Sequence, residues 1–281
     1  YPALSCDSTK TYKVSTCWGI KEDVYCPSEF TFRFLEDVFT EMLPLFPSRY
    51  WHIGGDECPQ KAWKESAFCR NLMKQKGLKS YDEIQSLFVN RVSSFLRSHG
   101  KTVIGWDEIL DGGNVDGMVA QSYRGHAPAA KGIRRGHHVI LSPDRWCYYN
   151  YYQADPETEP KANSLLLTLK KAYNYYPVVD SLPELSKKYI IGAEGCVWGE
   201  FIPDVNSAEY WTFPRMAAMS EVGWTERQNK DWQSFRVRME KEMKRLEASE
   251  IACSKVYWNV IFDYDSINLP RPVDADLMLE Y

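Results

Sequence analysis

The sequence lacks several features that would assign it to a particular class of protein. It has no cysteine pair at C-x-x-C spacing, which argues against a structural zinc site. It has no Asn-x-Ser/Thr sequence, which disfavours a eukaryotic secretory enzyme. No apolar run reaches the ~18 residues of a membrane span. Positive charge is not in excess, because the net charge is -4, and a nucleic-acid partner is therefore not favoured.

The composition is that of a globular protein with an excess of aromatic residues. The chain has 281 residues, of which 44% are hydrophobic, so there is ample material for a core. Most of the aromatic residues are expected in the core, but an excess of Trp and Tyr, here 10 and 18, also suits the flat surfaces on which sugars stack. Cysteines 6, 17 and 26 are close enough in sequence to form disulfides, as are 58 and 69, but the connectivity stays open. Disulfides would indicate an exported protein, whereas buried free thiols would indicate little.

The most informative stretch is Trp51-His52-Ile53-Gly54-Gly55-Asp56-Glu57. The apolar run of residues 50–53 predicts a buried strand that two glycines then break. Adjacent side chains of a strand point to opposite faces, but the glycines can adopt backbone angles that direct Asp56 and Glu57 into one cleft. One carboxylate can then stay ionised while the other, less solvated, keeps a proton to donate.

The rest of the chain predicts strands alternating with helices. Further strands are expected at residues 102–108, 118–121, 139–142 and 189–198. Helices are expected at residues 28–46, 59–76, 80–99, 127–135, 163–172, 208–221 and 231–248. Because no hairpin signals intervene, the five strands should be parallel and joined by helical crossovers, as in part of a barrel.

The predicted strand ends carry acidic, amide and aromatic side chains, where an α/β barrel places its active site. They are Asp56 and Glu57, Trp106 to Glu108, Gln121 and Tyr123, Tyr148 to Asn150, and Trp198 and Glu200. This pattern predicts a cleft with aromatic walls and polar edges, as pyranose binding requires.

These motifs resemble the catalytic signature of family 20 glycoside hydrolases, the β-N-acetylhexosaminidases. The His-x-Gly-Gly-Asp-Glu run resembles that family, and the stretches 103–108, 197–200 and 213–218 follow in the family's order. The resemblance implies an α/β fold of the (β/α)8 barrel type, represented here by strands four to eight only. Residues 1–255 would form the C-terminal portion of the catalytic barrel, and residues 256–281 an extended tail.

The resemblance also implies a role for each site residue. Glu57 would be the general acid, and Asp56 would orient the substrate's 2-acetamido group, whose oxygen acts as the nucleophile. Tyr148 would donate a hydrogen bond to that group, Trp106 and Trp198 would wall the sugar pocket, and Glu200 would bind outer hydroxyls. Tyr123 stands where the family usually has Trp, and Asn150 where Asp is usual. No catalytic metal and no organic cofactor are implied.

The leading hypothesis is an exo-acting enzyme that releases terminal β-linked GlcNAc or GalNAc from a glycan, with retention. By this hypothesis the enzyme is bacterial and is exported to the periplasm, the cell surface or the medium. The alternatives are a non-catalytic carbohydrate-binding protein on a truncated or decayed barrel and an unrelated barrel hydrolase. Because the chain starts at Tyr1 without Met, we expect it to be processed or cut from a longer protein. The family's sugar-binding Arg and His would lie upstream, and missing strands or self-association are expected.

Overall fold

The computed structural model describes residues 1–17, 19–179 and 181–256, so the expected tail beyond Val256 lies outside the described residues. The strands are β1 (Tyr50–His52), β2 (Thr102–Trp106), β3 (Val119–Ser122), β4 (Val139–Leu141), β5 (Tyr151–Tyr152), β6 (Asn163–Leu166) and β7 (Ile190–Ala193). The helices are α1 (Glu29–Met42), α2 (Lys61–Glu65), α3 (Ala67–Lys76), α4 (Tyr81–Ser98), α5 (His126–Arg134), α6 (Asp144–Cys147), α7 (Leu169–Asn174), α8 (Val205–Thr212), α9 (Arg215–Trp224) and α10 (Trp232–Ala248). Within these ranges, no helix has the length and apolarity that crossing a bilayer demands.

Five strands form one sheet in the order β1-β2-β3-β4-β7. Strand β1 pairs in parallel with β2, with Tyr50 opposite Thr102, and β2 pairs in parallel with β3, with Ile104 opposite Val119. Along the chain, α-helices separate β1 from β2, β3 from β4 and β4 from β7, whereas only a short 3-10 helix (Asp107–Leu110) lies between β2 and β3. The predicted βα units are therefore confirmed, and their strands are neighbours in sequence order, as in an arc of a barrel.

The chain divides into two compact units. The first consists of Tyr1–Ile140 and Val179–Ile191, and the second of Leu141–Val178 and the described residues from Gly192 onward. In the first unit, Leu96 of α4 packs with Val103 of β2 and with Ile109 and Leu110, all fully buried. In the second unit, the core joins the stretch 147–175 to α9 and α10.

Local sequence signals account for several helix ends. The Ser80 hydroxyl accepts the backbone N–H of Glu83 at 3.4 Å, and the Glu83 carboxylate accepts the N–H of Lys79 at 3.0 Å. This is close to the predicted capping box, with the second bond displaced by one residue. Gly77 ends α3 in the left-handed region at φ +66°, as its position predicts.

Some predicted boundaries are wrong. Residues 163–172 do not form one helix, because the backbone from Asn163 first pairs with β5 as strand β6, and α7 begins only after Thr168. The helix expected at 59–76 divides at Ser66, which caps α3. The one expected at 208–221 divides at Pro214, whose ring removes the backbone donor that a continuous helix would use. The strand expected at 189–198 ends at Ala193.

Strand β1 is an exposed edge strand, and not the buried strand that its apolar sequence predicts. No strand of the described residues pairs with its other side, and Tyr50 is 51% exposed. On α1, side chains of the predicted apolar face are also exposed, including Phe30 and Val38. The apolar pattern of this region is therefore only partly satisfied by the chain's own packing.

Arg215 organises the interior of the second unit. Its guanidinium is fully buried and donates four hydrogen bonds to backbone carbonyl oxygens, at 2.9 Å to Tyr151, 3.1 Å to Leu167, 2.7 Å to Trp211, and to Tyr149. Burial lowers the pKa of Arg215. Because a planar guanidinium presents its donors in a fixed fork, it can hold the residue 149–151 segment, the start of α7 and the end of α8 in one arrangement.

We expect the described chain to self-associate when produced alone. An unpaired strand edge beside exposed apolar side chains is a template for pairing with another chain. Sedimentation velocity over a range of concentrations measures this, and Tyr50→Lys should weaken the association by placing a charge on the edge. A monodisperse monomer that unfolds cooperatively would contradict the expectation.

Arg215→Lys should lower the free energy of unfolding by about 2–4 kcal/mol, because an ammonium cannot reach all four carbonyl oxygens and leaves buried acceptors unsatisfied. Arg236→Lys, on the exposed side of α10, is the matched control and should change stability little. Denaturant unfolding followed by circular dichroism measures the free energy of unfolding of both variants. Equal midpoints for the two variants would show that Arg215 does not hold the unit together.

Candidate active site

The chain turns sharply where β1 ends, and the turn carries two consecutive carboxylates. Gly54 and Gly55 lie in the positive-φ region, at +74° and +93°, and Glu57 itself has φ +46°. A Cβ on Gly55 would lie 2.6 Å from Cγ2 of Ile109, so only glycine fits there. The prediction that these glycines turn the backbone ahead of Asp56 and Glu57 is confirmed.

Neighbouring groups hold this turn in place. The carbonyl oxygen of Gly54 accepts the N–H of Trp106 at 2.9 Å, and the Gln85 amide donates to the carbonyl of Gly55 at 2.7 Å. Nδ1 of His52 accepts the N–H of Gly54 at 3.0 Å, so that nitrogen carries no proton. The His52 ring also lies 4.7 Å from the Trp106 ring, centroid to centroid. The turn is therefore tied to the ends of both β1 and β2.

The pKa of Glu57 is raised above its ordinary value. Removal of water from the carboxyl is the main cause, and the negative charge of Asp56 adds to it. Both effects favour the protonated form, which is the form a proton donor needs. The two carboxylates are exposed within the described chain, so a ligand can reach them.

The residues after β2 form a buried acidic cluster beside the turn. Asp107 is fully buried and accepts bonds from the Ser122 hydroxyl at 3.0 Å, from the backbone of Tyr123 at 3.1 Å, and from the backbone and side chain of Arg124. Arg124 also bridges Asp111 at 2.9 Å. With this many donors, Asp107 has a structural role, in which it holds the end of β3 and the loop after it in position.

Tyr123 and Trp106 form an aromatic corner in the first unit. Their rings meet edge to face, with centroids 5.4 Å apart. The Tyr123 hydroxyl donates to the Glu108 carboxylate, and burial together with that bond raises the pKa of Tyr123. The negative charge of Glu57 contributes to the same rise. The structure thus places Asp56, Glu57, Trp106 and Tyr123 at the carboxyl ends of three adjacent strands.

The other residues to which the resemblance gives a role lie in the second unit. Tyr148 and Trp198 meet with ring centroids 5.7 Å apart. They are adjacent because Tyr148 pairs with Cys196 in a parallel bridge, in which Tyr149 N–H donates to the Cys196 carbonyl at 2.7 Å. Trp198 is 37% exposed, so part of its face is open to a ligand.

Asn150 and Glu200 differ in their access to solvent. Asn150 is only 4% exposed, and its Oδ1 is buried with no hydrogen-bond partner among the described residues. Glu200 is exposed and lines a cavity of about 620 Å³ with Lys161 and Tyr210. A sugar can therefore reach Glu200 directly, whereas Oδ1 of Asn150 is shielded from solvent.

The sequence did not indicate the roles of Arg124, Glu108 and Gln85. Arg124 and Gln85 looked like ordinary polar residues of a loop and a helix, and no spacing rule connects Arg124 to Asp107 or Gln85 to Gly55, 30 residues earlier. Asp107 and Glu108 were singled out as strand-end acids, but their partners were not. Among the described residues, the one cluster with metal-ligand geometry contains cysteines only and includes neither Asp56 nor Glu57.

Comparison with known proteins identifies the family. The model of glycosyl hydrolase family 20, catalytic domain, matches residues 1–227. A β-hexosaminidase of Porphyromonas gingivalis is 37% identical over 249 residues, which are 88% of this chain and 32% of that protein.

Solved structures agree with this assignment. The exo β-N-acetylglucosaminidase of Vibrio harveyi in complex with N-acetylglucosamine has a TM-score of 0.75 and 32% identity over 83% of this chain and 37% of its own. The β-N-acetylhexosaminidase of Streptomyces coelicolor A3(2) has a TM-score of 0.74 and 25% identity over 91% of this chain and 49% of its own. The prediction of a partial (β/α)8 barrel is confirmed.

This chain spans about a third of the Porphyromonas relative and of the Vibrio structure and half of the Streptomyces one. Because the family model matches residues 1–227 and a relative with 37% identity covers 88% of the chain, the chain belongs to glycosyl hydrolase family 20.

Proposed function

We propose that this protein is an exo-acting β-N-acetylhexosaminidase that releases terminal β-linked GlcNAc or GalNAc with retention. The observation that carries the proposal is the turn after β1, where two left-handed glycines present Asp56 and Glu57 consecutively at the carboxyl end of the sheet. The raised pKa of Glu57 supports it, since one of the two groups is then suited to donate a proton.

In this proposal Glu57 protonates the glycosidic oxygen as the bond to the leaving group breaks. Asp56 binds the N–H of the 2-acetamido group and turns its carbonyl oxygen toward the anomeric carbon, where that oxygen acts as the nucleophile. The positive charge that develops on the cyclised acetamido group is stabilised by the Asp56 carboxylate. Water then opens the intermediate, and Glu57 takes the proton back.

The aromatic residues supply the sugar's apolar contacts in this proposal. In the first unit Trp106 and Tyr123 form an edge-to-face pair, which offers a ring face to the C–H side of a pyranose. In the second unit Tyr148 and Trp198 form another such pair. The Tyr148 hydroxyl donates to the acetamido carbonyl, and Glu200 accepts from outer hydroxyls. No organic cofactor or catalytic metal takes part.

The setting of the enzyme is also part of the proposal. A glycan with terminal N-acetylhexosamine is the partner, and the site of action is the periplasm, the cell surface or the medium of a bacterium. The bacterial sources of the Porphyromonas, Vibrio and Streptomyces relatives support the bacterial origin in this proposal. We further propose that chain beyond the described residues, or a second copy, covers β1 and the exposed face of α1.

A non-catalytic carbohydrate-binding protein is the second candidate. The inaccessible Oδ1 of Asn150 favours it, because a catalytic pocket would present that group to the sugar. Isothermal titration with N-acetylglucosamine measures binding, and an assay on aryl N-acetylglucosaminide measures turnover. Together they distinguish the enzyme from the binding protein. Binding without turnover by the complete protein would favour this candidate over the enzyme.

Glu57→Gln should slow the complete protein most on substrates with poor leaving groups. An activated aryl group departs with little protonation, whereas an alkyl or sugar group needs the acid. The loss of kcat/KM on the latter should be ~10²–10⁴-fold. Measuring kcat/KM across a leaving-group series tests this, and a uniform loss across the series would rule out Glu57 as the acid.

Asp56→Asn should slow good and poor leaving groups alike and weaken binding of a thiazoline mimic of the cyclised intermediate. It should also shift the alkaline limb of kcat/KM to lower pH, because removing the neighbouring negative charge stabilises ionised Glu57 and lowers its pKa. Intact thiazoline affinity and an unmoved limb would contradict the role given to Asp56.

Asn150→Asp should change kcat/KM or the ratio of GlcNAc to GalNAc turnover, because a carboxylate accepts a sugar hydroxyl more strongly than an amide, by about 1 kcal/mol. Paired aryl N-acetylglucosaminide and N-acetylgalactosaminide assays measure it. Asn174→Asp, at the end of α7 in the same unit, is the control and should leave both rates unchanged. Unaltered kinetics on both sugars would place Asn150 outside the pocket.

A further inference from the structure

Three cysteines that are distant in sequence meet in the first unit. The sulfur atoms of Cys6, Cys26 and Cys69 all lie within 4.8 Å of one another, and those of Cys6 and Cys69 are 3.8 Å apart. Cys26 is 6% exposed and Cys69 is fully buried. Three convergent thiols, two of them buried, indicate a ligand site more strongly than a lone cysteine does, because each thiol is a potential metal ligand with the same chemistry.

The backbone fixes the positions of all three. Ser5 and Tyr25 form an antiparallel bridge, and the N–H of Cys26 donates to the carbonyl of Leu4 at 2.8 Å, so the first two cysteines are brought together by adjacent paired segments. Cys69 lies in the first turn of α3, where its N–H donates to the capping Ser66 hydroxyl at 3.3 Å. Apolar side chains, including Trp63 and Ile84, surround the group.

The sulfur spacing matches metal ligation better than a disulfide. A disulfide places two sulfurs at ~2.05 Å and leaves the third thiol without a partner. Thiolates bound to Zn²⁺ lie at ~2.3 Å from the metal, so the edge of a tetrahedral site is ~3.8 Å. The separation between Cys6 and Cys69 equals that edge.

We propose that Cys6, Cys26 and Cys69 bind a thiophilic cation, Zn²⁺ or a metal of similar softness, through three thiolates. On binding, three S–H groups release three protons and three metal–sulfur bonds form, with no change of oxidation state. The complex with Zn²⁺ carries one net negative charge, and the N-terminal turn of α3 stabilises a negative charge placed there. Water or an external ligand fills the fourth position.

Such a site would fasten the N-terminal segment to the elements that follow the acidic turn. Cys69 is on α3, and α2, just before it, carries Trp63, whose indole N–H donates to the carbonyl of Tyr25 at 2.9 Å. A metal would add a second connection between the same two regions. The absence of C-x-x-C spacing does not exclude this site, because its ligands come from three separate segments.

Metal content and spectroscopy of the complete protein test the proposal without reference to glycosidase activity. Reduced, metal-free protein should take up one equivalent of ZnCl₂, and with CoCl₂ it should show a thiolate-to-cobalt charge-transfer band. Cys6→Ser, Cys26→Ser and Cys69→Ser should each lose the band and most of the zinc. Cys17→Ser, at an exposed cysteine outside the cluster, is the matched control and should keep both.

Thermal unfolding gives a second readout. A zinc chelator should lower the Tm of the wild type and of Cys17→Ser, but should leave that of Cys69→Ser unchanged. If the serine variants fail to fold, metal uptake by the wild type still tests the proposal. Reduced, folded wild-type protein that binds neither Zn²⁺ nor Co²⁺ would overturn it. A disulfide between two of the three cysteines, found by non-reducing peptide mapping of protein purified under non-reducing conditions with zinc present, also overturns it.

Discussion

The hydrogen bond from Trp106 N–H to the carbonyl oxygen of Gly54 is the interaction on which the candidate site depends. At 2.9 Å it extends the β1–β2 ladder past the end of β1 and brings two acidic strand ends together. The approach is possible because no Cβ intervenes, since one on Gly105 would lie 3.1 Å from that oxygen and one on Gly55 would meet Ile109. These two glycines therefore permit the close packing, and the packing holds the carboxylates of Asp56 and Glu57 at the edge of the sheet.

Two acids at the same edge of the sheet have opposite electrostatic environments. Asp107 is fully buried but accepts bonds from the Ser122 hydroxyl, from two backbone N–H groups and from Arg124, so its charge is compensated where it lies. Glu57 has no hydrogen-bond donor in the part of the chain that the structure describes, and its neighbour Asp56 has the same charge. The arrangement around Glu57 favours a carboxylic acid. Hence the proposed proton donor, Glu57, is the more exposed of the two, whereas the hydrogen bonds of the buried Asp107 hold neighbouring segments in place.

The sequence predicted the sheet because its strands are apolar and end in polar residues, and it predicted the turn because Gly54 and Gly55 precede the two acids. It did not predict β6, since the apolar spacing of residues 163–172 fits a helix and the pairing with β5 comes from a segment outside that window. The Arg215 bonds and the meeting of Cys6, Cys26 and Cys69 were missed for the same reason. Each depends on groups tens of residues apart, and local periodicity carries no information about such contacts.

The position of β1 at the edge of the sheet links folding to the proposed chemistry. Glu57 follows an edge strand whose outer side is not paired by the described residues, and desolvation is already the larger cause of its raised pKa. Any segment that pairs with β1 and covers the turn removes more water from the carboxyl, which raises this pKa further and extends the pH range in which the proton is held. A carboxyl that keeps its proton to higher pH costs stability as pH rises through the interval between its unfolded and folded pKa values. A segment that pairs with β1 must therefore offset this loss of stability by burying apolar surface. The exposed side chains of Tyr50 and α1 are apolar surface that it can bury.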